Sequence, residues 1–195
     1  MVVDHEASSD AFESLRTGRL VLDKPRHDDL PDIIYLANNT KIAHMLAHMP
    51  HPYGMEDGRE WIQRSRSEKP GSATFAIRLA STGRLIGACG YGDRNDNGVP
   101  QLGYWIGEPF WGNGFATEAA QTIIDHAFSV SDLDELWSCC RMTNPASRRV
   151  IEKCGFQYTE VGIIRSAALA GTVSVERYRL DVKAWAALKR WGAAS

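Results

Sequence analysis

The sequence predicts one mixed α/β domain, of the α+β kind, in which helices pack on the faces of a sheet. Its 195 residues suit a single domain with a substantial core. Segments whose apolar residues alternate, as in strands, are interspersed with segments whose apolar residues recur at helical spacing. The order is a strand, two or three helices, three strands, a helix, a strand, a helix and two strands. This order favours a mixed sheet with helices on its faces.

The N-terminal part is predicted to contain an arm, a strand and three helices. Residues 1–16 have no apolar periodicity and are expected to form a flexible N-terminal arm, so that the domain spans residues 17–195. The first strand has Leu20 and Leu22 at alternate positions. Acidic capping residues and an early proline introduce the first helix. The three helices are predicted in the stretches RHDDLPDIIYLANN, TKIAHMLAH and MEDGREWIQRSRSE.

The spacing of apolar residues then changes from helical to alternating, which predicts a β-hairpin. Phe75, Ile77 and Leu79 alternate in TFAIRLA, STG turns the chain, and RLIGACGYG forms the returning strand. After a turn-rich loop, QLGYWIG is predicted to be a strand and GFATEAAQTIIDHAF a helix with a strong apolar face. That apolar face must pack on the sheet.

The C-terminal part combines three strands with a short, well-bounded helix. DELWSCCRM is the first of these strands. Asn144 is a suitable N-cap, Pro145 suits the first helical position, and Gly155 suits the left-handed residue after the helix. QYTEVGIIRSA and TVSVERYRLDVKAW supply the other two strands, and a helical tail follows.

Charge and hydropathy argue against several classes of function. Lysine and arginine total 22 against 24 aspartate and glutamate residues, which is not the basic excess typical of nucleic-acid or anionic-membrane binding. The apolar runs are far shorter than the roughly 20 residues of a membrane span, and the N-terminus is acidic and polar rather than signal-like. We therefore expect a soluble, cytoplasmic protein that binds neither nucleic acid nor a membrane.

Two glycines lie directly before the most strongly predicted helix, in the stretch WIGEPFWGNGFAT. The first N–H groups of a helix are unpaired, the helix dipole is positive there, and Gly112 and Gly114 have no Cβ to obstruct an approaching anion. The pattern suits a pyrophosphate site, although an ordinary tight turn also explains it. The Walker pattern is absent, and Thr117 occupies the position of the third glycine of a dinucleotide-binding fingerprint.

These residues carry a family likeness. GYWIGEPFWGNGFATEA, followed later by TNPASRRVIEKCGF, resembles the GCN5-related N-acetyltransferases (GNAT superfamily), and in particular the ribosomal-protein N-terminal acetyltransferase (RimJ/RimL-like) branch. The resemblance implies the GNAT fold, with a mostly antiparallel sheet of seven strands and helices on both faces. It also implies a V-shaped splay between strands 4 and 5, QLGYWIG and DELWSCCRM, in which the pantetheine arm of acetyl-CoA lies like an extra strand.

The resemblance implies acetyl-CoA as the cosubstrate, and no metal is predicted. The family pattern Q/R-x-x-G-x-G/A, which wraps the pyrophosphate, matches residues 111–116 with tryptophan at its first position. Asn144 would contact the pantetheine arm, Ser147 would lie near the sulfur, and Arg148 or Arg149 would approach the adenosine phosphate. The implied cofactor-binding residues are Ile106, Glu108, Trp111, Gly112, Asn113, Gly114, Phe115, Ala116, Thr117, Asn144, Ser147 and Arg149.

The catalytic groups are less well defined, because two residues depart from the family pattern. Ile151 occupies the position at which many relatives have a tyrosine acid, and Gln101 the position at which relatives often have glutamate. Ser147 is the predicted substitute that hydrogen-bonds the sulfur. Glu108 is a candidate base, with Asp93 or a histidine acting through water as alternatives. A backbone N–H near Ile106 would stabilise the oxyanion.

The acceptor is predicted to be a primary amine, either a protein N-terminal α-amine or a small molecule such as an amino acid, polyamine or aminoglycoside. A coenzyme A-binding module without catalysis is a further alternative. The residues predicted to line the acceptor site are His51, Tyr53, Tyr91 and Trp105. The protein is expected to be a monomer or a homodimer.

Histidine and cysteine spacing does not predict a metal site. The histidines of IAHMLAHMPH lack a convincing third ligand, and the H-E-x-x-H pattern is missing. The four cysteines have no C-x-x-C spacing, so buried free thiols are expected rather than disulfides or zinc ligands.

Overall fold

A computed structural model of the chain describes residues 14–67, 69–93 and 98–192. Most of the predicted arm, residues 1–13, and part of the loop after Asp93 lie outside the described residues. The strands are β1 (Leu15–Arg16), β2 (Leu20–Asp23), β3 (Ala73–Leu79), β4 (Leu85–Asp93), β5 (Pro100–Ile106), β6 (Glu135–Arg141), β7 (Gln157–Ser166) and β8 (Gly171–Asp181). The helices are α1 (Leu30–Ala37), α2 (Thr40–Ala43), α3 (Met55–Arg66), α4 (Phe115–Val130), α5 (Pro145–Lys153) and α6 (Val182–Gly192).

The strands form one mixed sheet in the order β1-β2-β3-β4-β5-β6-β8-β7. All neighbouring strands are antiparallel except β5 and β6, which are parallel. The expected mixed, mostly antiparallel sheet is therefore confirmed. The strand number is corrected from seven to eight among the described residues, because Leu15 and Arg16 pair with Leu22 and Val21 at the edge of the sheet.

Helices pack on both faces of the sheet. On β3, Phe75 and Ile77 belong to the core cluster that contains the apolar face of α4. Ala76, which lies between them, belongs to a second cluster with α1 and α3. Successive side chains of a strand point to opposite faces, so these two clusters lie on opposite sides of the sheet. The structure contains no helix among the described residues that is long and apolar enough to cross a membrane.

The parallel strands β5 and β6 diverge almost from their starts. They share the single partner pair Gln101 and Trp137, whereas β4 and β5 share seven pairs. The hydroxyl of Ser138 donates to the carbonyl of Leu102 at 3.3 Å, and beyond this point the strands separate. The expected V-shaped splay is thus present, and it opens toward the C-terminal ends of both strands.

The local signals of α5 are also confirmed. The side chain of Asn144 accepts a hydrogen bond from the Ser147 N–H at 3.1 Å, and Pro145 opens the helix. Gly155 follows the helix with a φ of +89°. The four cysteines are free thiols, of which Cys89, Cys140 and Cys154 are buried.

Candidate active site

The divergence of β5 and β6 creates a cavity of about 710 Å³. The facing edges of β5 and β6 form its floor, and α2, α5 and the first turn of α4 form its walls. The sequence-predicted residues that line it are Trp105, Ile106, Trp111, Gly112, Gly114, Phe115, Ala116, Thr117, Asn144, Ser147 and Arg149. Glu108, Asn113, His51, Tyr53 and Tyr91 do not line it.

The N-terminus of α4 forms an open cradle at one end of the cavity. Gly112 and Gly114 both have a φ of +78°, a conformation that disfavours residues with a Cβ. A Cβ added to Gly112 would meet no atom of the described residues within 4 Å, and one added to Gly114 would meet only Arg19 Nη2, at 3.6 Å. The N–H of Glu118 donates to Gly114 O and closes the first turn. The three preceding helical N–H groups thus have no intrahelical acceptor, which makes the cradle a suitable anion site.

Side chains hold the loop that precedes α4 in its shape. The indole N–H of Trp111 donates to Ile106 O at 2.6 Å. The Asn113 amide donates to Phe110 O at 3.2 Å and to Trp111 O at 3.0 Å. Trp111 and Asn113 therefore use their side chains to fix the backbone of the cradle.

The edge of β5 that faces the cavity can be identified from its hydrogen bonds. Leu102 O accepts from Ser138 on β6, while Gly107 N donates to Ile86 O on β4. Residues two apart in a strand direct their backbone groups to the same edge. The backbone of Tyr104 and the N–H of Ile106 therefore face the cavity, where an extended ligand could pair with them.

Ser147 lies against a second hydroxyl within the cavity wall. Tyr104 Oη lies 2.9 Å from Ser147 Oγ and 3.2 Å from Ser147 O, and it can donate its single proton to either of them. Burial raises the pKa of Tyr104, so its hydroxyl stays protonated at neutral pH. Ile151, at the position where the family likeness implies a tyrosine, is fully buried and has no polar group. Among the described residues that line the cavity, Tyr104 and Ser147 are the two whose hydroxyl groups contact each other.

Glu108 is engaged outside the cavity. Its carboxylate accepts from Asn39 Nδ2 at 2.7 Å and forms an ion pair with Lys41. The hydrogen bonds from Lys41 and Asn39 hold the pKa of Glu108 below its ordinary value. A carboxylate with a lowered pKa is a weak proton acceptor, so this environment favours a role for Glu108 in joining α2 to the end of β5.

Of the residues predicted to contact the acceptor, only Trp105 reaches the cavity. Tyr53 is buried under α3, where its hydroxyl donates to Asp57 O at 3.3 Å and burial raises its pKa to about 12. Tyr91 is buried in the α4 cluster, with its hydroxyl 3.2 Å from His126 Nδ1. His51 has a buried Nδ1 but does not line the cavity.

One wall of the cavity has no distinctive sequence signal. It comprises α2 and the residues just after it: Lys41, Ile42, Met45 and Leu46. Their apolar members, at helical spacing, are equally typical of a buried helix face. Two contacts fix this wall to the C-terminal half of the sheet: Arg141 Nη1 donates to His44 O at 2.7 Å, and Ala167 N donates to Ala47 O at 2.8 Å.

The two arginines of α5 have different surroundings. Arg148 forms a bidentate pair with Glu176, with N–O distances of 2.8 and 2.6 Å. Arg149 lines the cavity together with Lys153. Of the two, Arg149 is therefore the one available to a phosphate in the cavity.

Comparison with known proteins identifies the class to which this fold and cavity belong. A family profile described as an acetyltransferase (GNAT) domain matches residues 19–157, so the chain belongs to the GNAT acetyltransferase family. A protein of Bacillus licheniformis named "Uncharacterized N-acetyltransferase p20" is 27% identical over 157 residues, which cover 79% of this chain and 86% of that protein. The protein is accordingly an acetyltransferase enzyme, as predicted.

Solved structures share the fold over most of their length. One is RimL, described as a ribosomal L7/L12 alpha-N-protein acetyltransferase in complex with coenzyme A, with a TM-score of 0.70 and 19% identity over 88% of this chain and 99% of that chain. Another is the spermidine N-acetyltransferase of Vibrio cholerae in complex with CoA and spermine, with a TM-score of 0.71 and 20% identity over 87% of this chain and 99% of that chain. At these identities the likeness confirms the predicted fold.

Proposed function

We propose that this acetyltransferase transfers the acetyl group of acetyl-CoA to the α-amine of a peptide or protein N-terminus. The observation that carries the proposal is the cavity between β5 and β6, which ends at the uncrowded N-terminus of α4. A flat sheet edge or a closed turn would offer no such combination of an extended slot and an anion cradle.

The residues present fit the diphosphate, the adenosine phosphate and the pantetheine arm of acetyl-CoA. The first N–H groups of α4, beside Gly112 and Gly114, suit its diphosphate, and a Cβ would meet no described atom within 4 Å at Gly112 and only Arg19 Nη2 at Gly114. The cationic side chain of Arg149 suits an adenosine phosphate. The slot-facing backbone of Tyr104 and Ile106 suits the amide groups of the pantetheine arm. When bound, acetyl-CoA supplies a thioester that is activated toward amines.

Backbone and hydroxyl groups can supply the remaining chemistry. The N–H of Tyr104 faces the slot farther along β5 from the cradle than Ile106, and it can donate to the oxyanion that forms when an amine attacks the thioester. The Ile106 N–H and the Tyr104 carbonyl are then left for the pantetheine arm. Ser147 Oγ can donate its proton to the sulfur while it accepts a hydrogen bond from the Tyr104 hydroxyl, 2.9 Å away. In this arrangement Tyr104 acts through Ser147 rather than directly.

The proposed preference for an α-amine follows from the side chains of the cavity. The charged residues among its described lining are Lys41, Arg149 and Lys153, and that lining includes no carboxylate or histidine that could deprotonate an ammonium group. An α-ammonium has a pKa of about 8 and a lysine side chain about 10.4. At pH 7 roughly a tenth of α-amines are therefore neutral, against roughly 1 in 2,500 lysine amines.

The proposal is tested in two steps. Calorimetry should detect association of acetyl-CoA with the purified protein, and acetyl-CoA at 100 times its Kd should add about 2.7 kcal/mol of stability, whereas NAD and ATP should not. Thiol release should then be measured with a short peptide, its Nα-blocked form carrying a lysine, and spermidine. Turnover of the unblocked peptide is expected to dominate. Equal turnover of spermidine would reassign the acceptor to small amines, and binding without thiol release would indicate a coenzyme A-binding protein without catalysis.

A further inference from the structure

Arg19 connects the start of β2 to the cradle at the N-terminus of α4. Its Nη1 donates to Asn113 O at 2.9 Å, between the two glycines of the cradle. Its Nε donates to Glu118 Oε2 at 2.7 Å, and its guanidinium carbon lies 4.9 Å from the centre of the Phe115 ring. One side chain therefore contacts the loop, the first residue of the helix and the first helical turn.

Glu118 presents an electrostatic problem that this contact resolves. Glu118 is in the first turn of α4 and does not line the cavity, but a negative charge on that turn repels an anion bound at the helix N-terminus. Burial alone would raise the pKa of Glu118, but hydrogen bonds from Thr17 and Arg19 outweigh burial and lower it, so the carboxylate is ionised. The Thr17 hydroxyl, the Arg19 N–H and the Arg19 guanidinium all donate to it.

We propose that Arg19 is a positioning residue for acetyl-CoA: it fixes the Asn113 carbonyl of the cradle and offsets the negative charge of Glu118, so that the cradle accepts a diphosphate. This inference rests on the proposed use of acetyl-CoA. Arg19 acts through the loop and through Glu118, and it carries no chemical step.

The geometry separates this role from a general contribution to stability. The Arg19 side chain is 53% exposed and its partner Glu118 is 19% exposed, so water screens the pair from the arginine side and its contribution to folding is small. Replacement of Arg19 should therefore leave the fold intact. Loss of its hydrogen bonds removes the contact to Asn113 O, leaving the loop to the contacts of Trp111 and Asn113, and leaves the Glu118 carboxylate with Thr17 as its side-chain donor.

The test compares three variants with wild type: Arg19→Gln, Arg19→Gln combined with Glu118→Gln, and Arg19→Lys. Arg59→Gln is the matched control, because Arg59 is also an exposed, ion-paired arginine and lies on α3, away from the cavity. For each protein, the Kd of acetyl-CoA is measured by calorimetry and kcat and KM by thiol release. Turnover of S-acetylpantetheine, which has no phosphate, is measured in parallel.

Arg19→Gln should raise the Kd and KM of acetyl-CoA by about tenfold or more, since hydrogen bonds to charged groups are lost. Turnover of S-acetylpantetheine and the kcat for acetyl-CoA should not change. Adding Glu118→Gln should recover part of the lost affinity, Arg19→Lys should give an intermediate Kd, and Arg59→Gln should match wild type. The recovery on removing a second group is a result that a merely structural role would not produce.

Two outcomes would overturn the inference while leaving the proposed function intact. One is an Arg19→Gln protein that binds acetyl-CoA as tightly as wild type. The other is an equal loss of activity toward acetyl-CoA and S-acetylpantetheine, which would indicate general damage. A wild-type protein that does not bind acetyl-CoA would instead remove the proposed function, and this inference with it.

Discussion

Replacing Gly114 with alanine should weaken acetyl-CoA binding far more than it weakens the fold. Gly114 has a φ of +78°, and a new Cβ there would meet only Arg19 Nη2, at 3.6 Å, which is an ordinary contact. The cost to folding is thus the backbone term alone, about 1–2 kcal/mol for a residue with a Cβ in the left-handed region. For a domain of this size that cost lowers Tm by roughly 2–4 °C per kcal/mol.

Gly83 provides a matched control for the backbone term. It lies in the turn between β3 and β4 with a φ of +70°, and a Cβ there would meet no described atom within 4 Å. Gly83→Ala should therefore lose a similar amount of stability and bind acetyl-CoA normally. Gly114→Ala should in addition lose hydrogen bonds from the cradle to a charged ligand, about 1.5–3 kcal/mol or roughly 10- to 150-fold in Kd. Thermal denaturation measures the stability of both variants, and calorimetry measures their Kd for acetyl-CoA. Equal Kd values would refute the proposal that the cradle binds the diphosphate.

Three further predictions concern single residues. In thiol-release assays, Tyr104→Phe should lower kcat about tenfold with little change in the KM of acetyl-CoA. The double variant Tyr104→Phe/Ser147→Ala should have the same kcat as Ser147→Ala alone, because both substitutions remove one hydrogen bond. Arg78→Met removes the bidentate partner of buried Asp29 and should cost about 3–5 kcal/mol in urea denaturation, with normal activity per folded molecule; a loss below 1 kcal/mol would contradict it. Because the folded state lowers the pKa of Glu118, its contribution to stability is present above about pH 4.3 and is lost as the pH falls through the lower folded pKa. Acid should therefore destabilise wild type more than Glu118→Gln in melts from pH 5 to 3.

The elements that were predictable from sequence carry their own local signals. The boundaries of α5 follow from a capping asparagine, a proline at the first position and a glycine after the last turn, which act within a dozen residues. The apolar face of α4 is likewise a property of α4 alone. Strand β1 has two residues and no periodicity to detect, and its pairing with β2 depends on a turn through Thr17.

The site divides in the same way into what local sequence specifies and what it does not. The cradle is predictable because glycines directly before a helix indicate a backbone conformation, or a close approach, that a Cβ would obstruct. The buried position of Tyr91 is not predictable from sequence. Eight of the nine residues of β4 are buried, and a strand buried on both faces shows no polar–apolar alternation that would indicate which face Tyr91 occupies. The contacts between Arg19 and Glu118 join residues 99 positions apart, and no pattern in the sequence connects the two.

The replacement of the expected tyrosine and glutamate by Ile151 and Gln101 is compatible with an active enzyme, because the chemistry assigns little to either side chain. A backbone N–H that stabilises the oxyanion is unaffected by side-chain substitution. A thiol with a pKa near 8.5 leaves readily as a thiolate at neutral pH, so a hydrogen bond from Ser147 can replace full protonation. An α-amine that is about one-tenth neutral at pH 7 loses only about a factor of ten in rate without a base. A lysine amine would lose more than a thousandfold, so a described cavity lining without carboxylates favours the proposed α-amine acceptor over a lysine side chain.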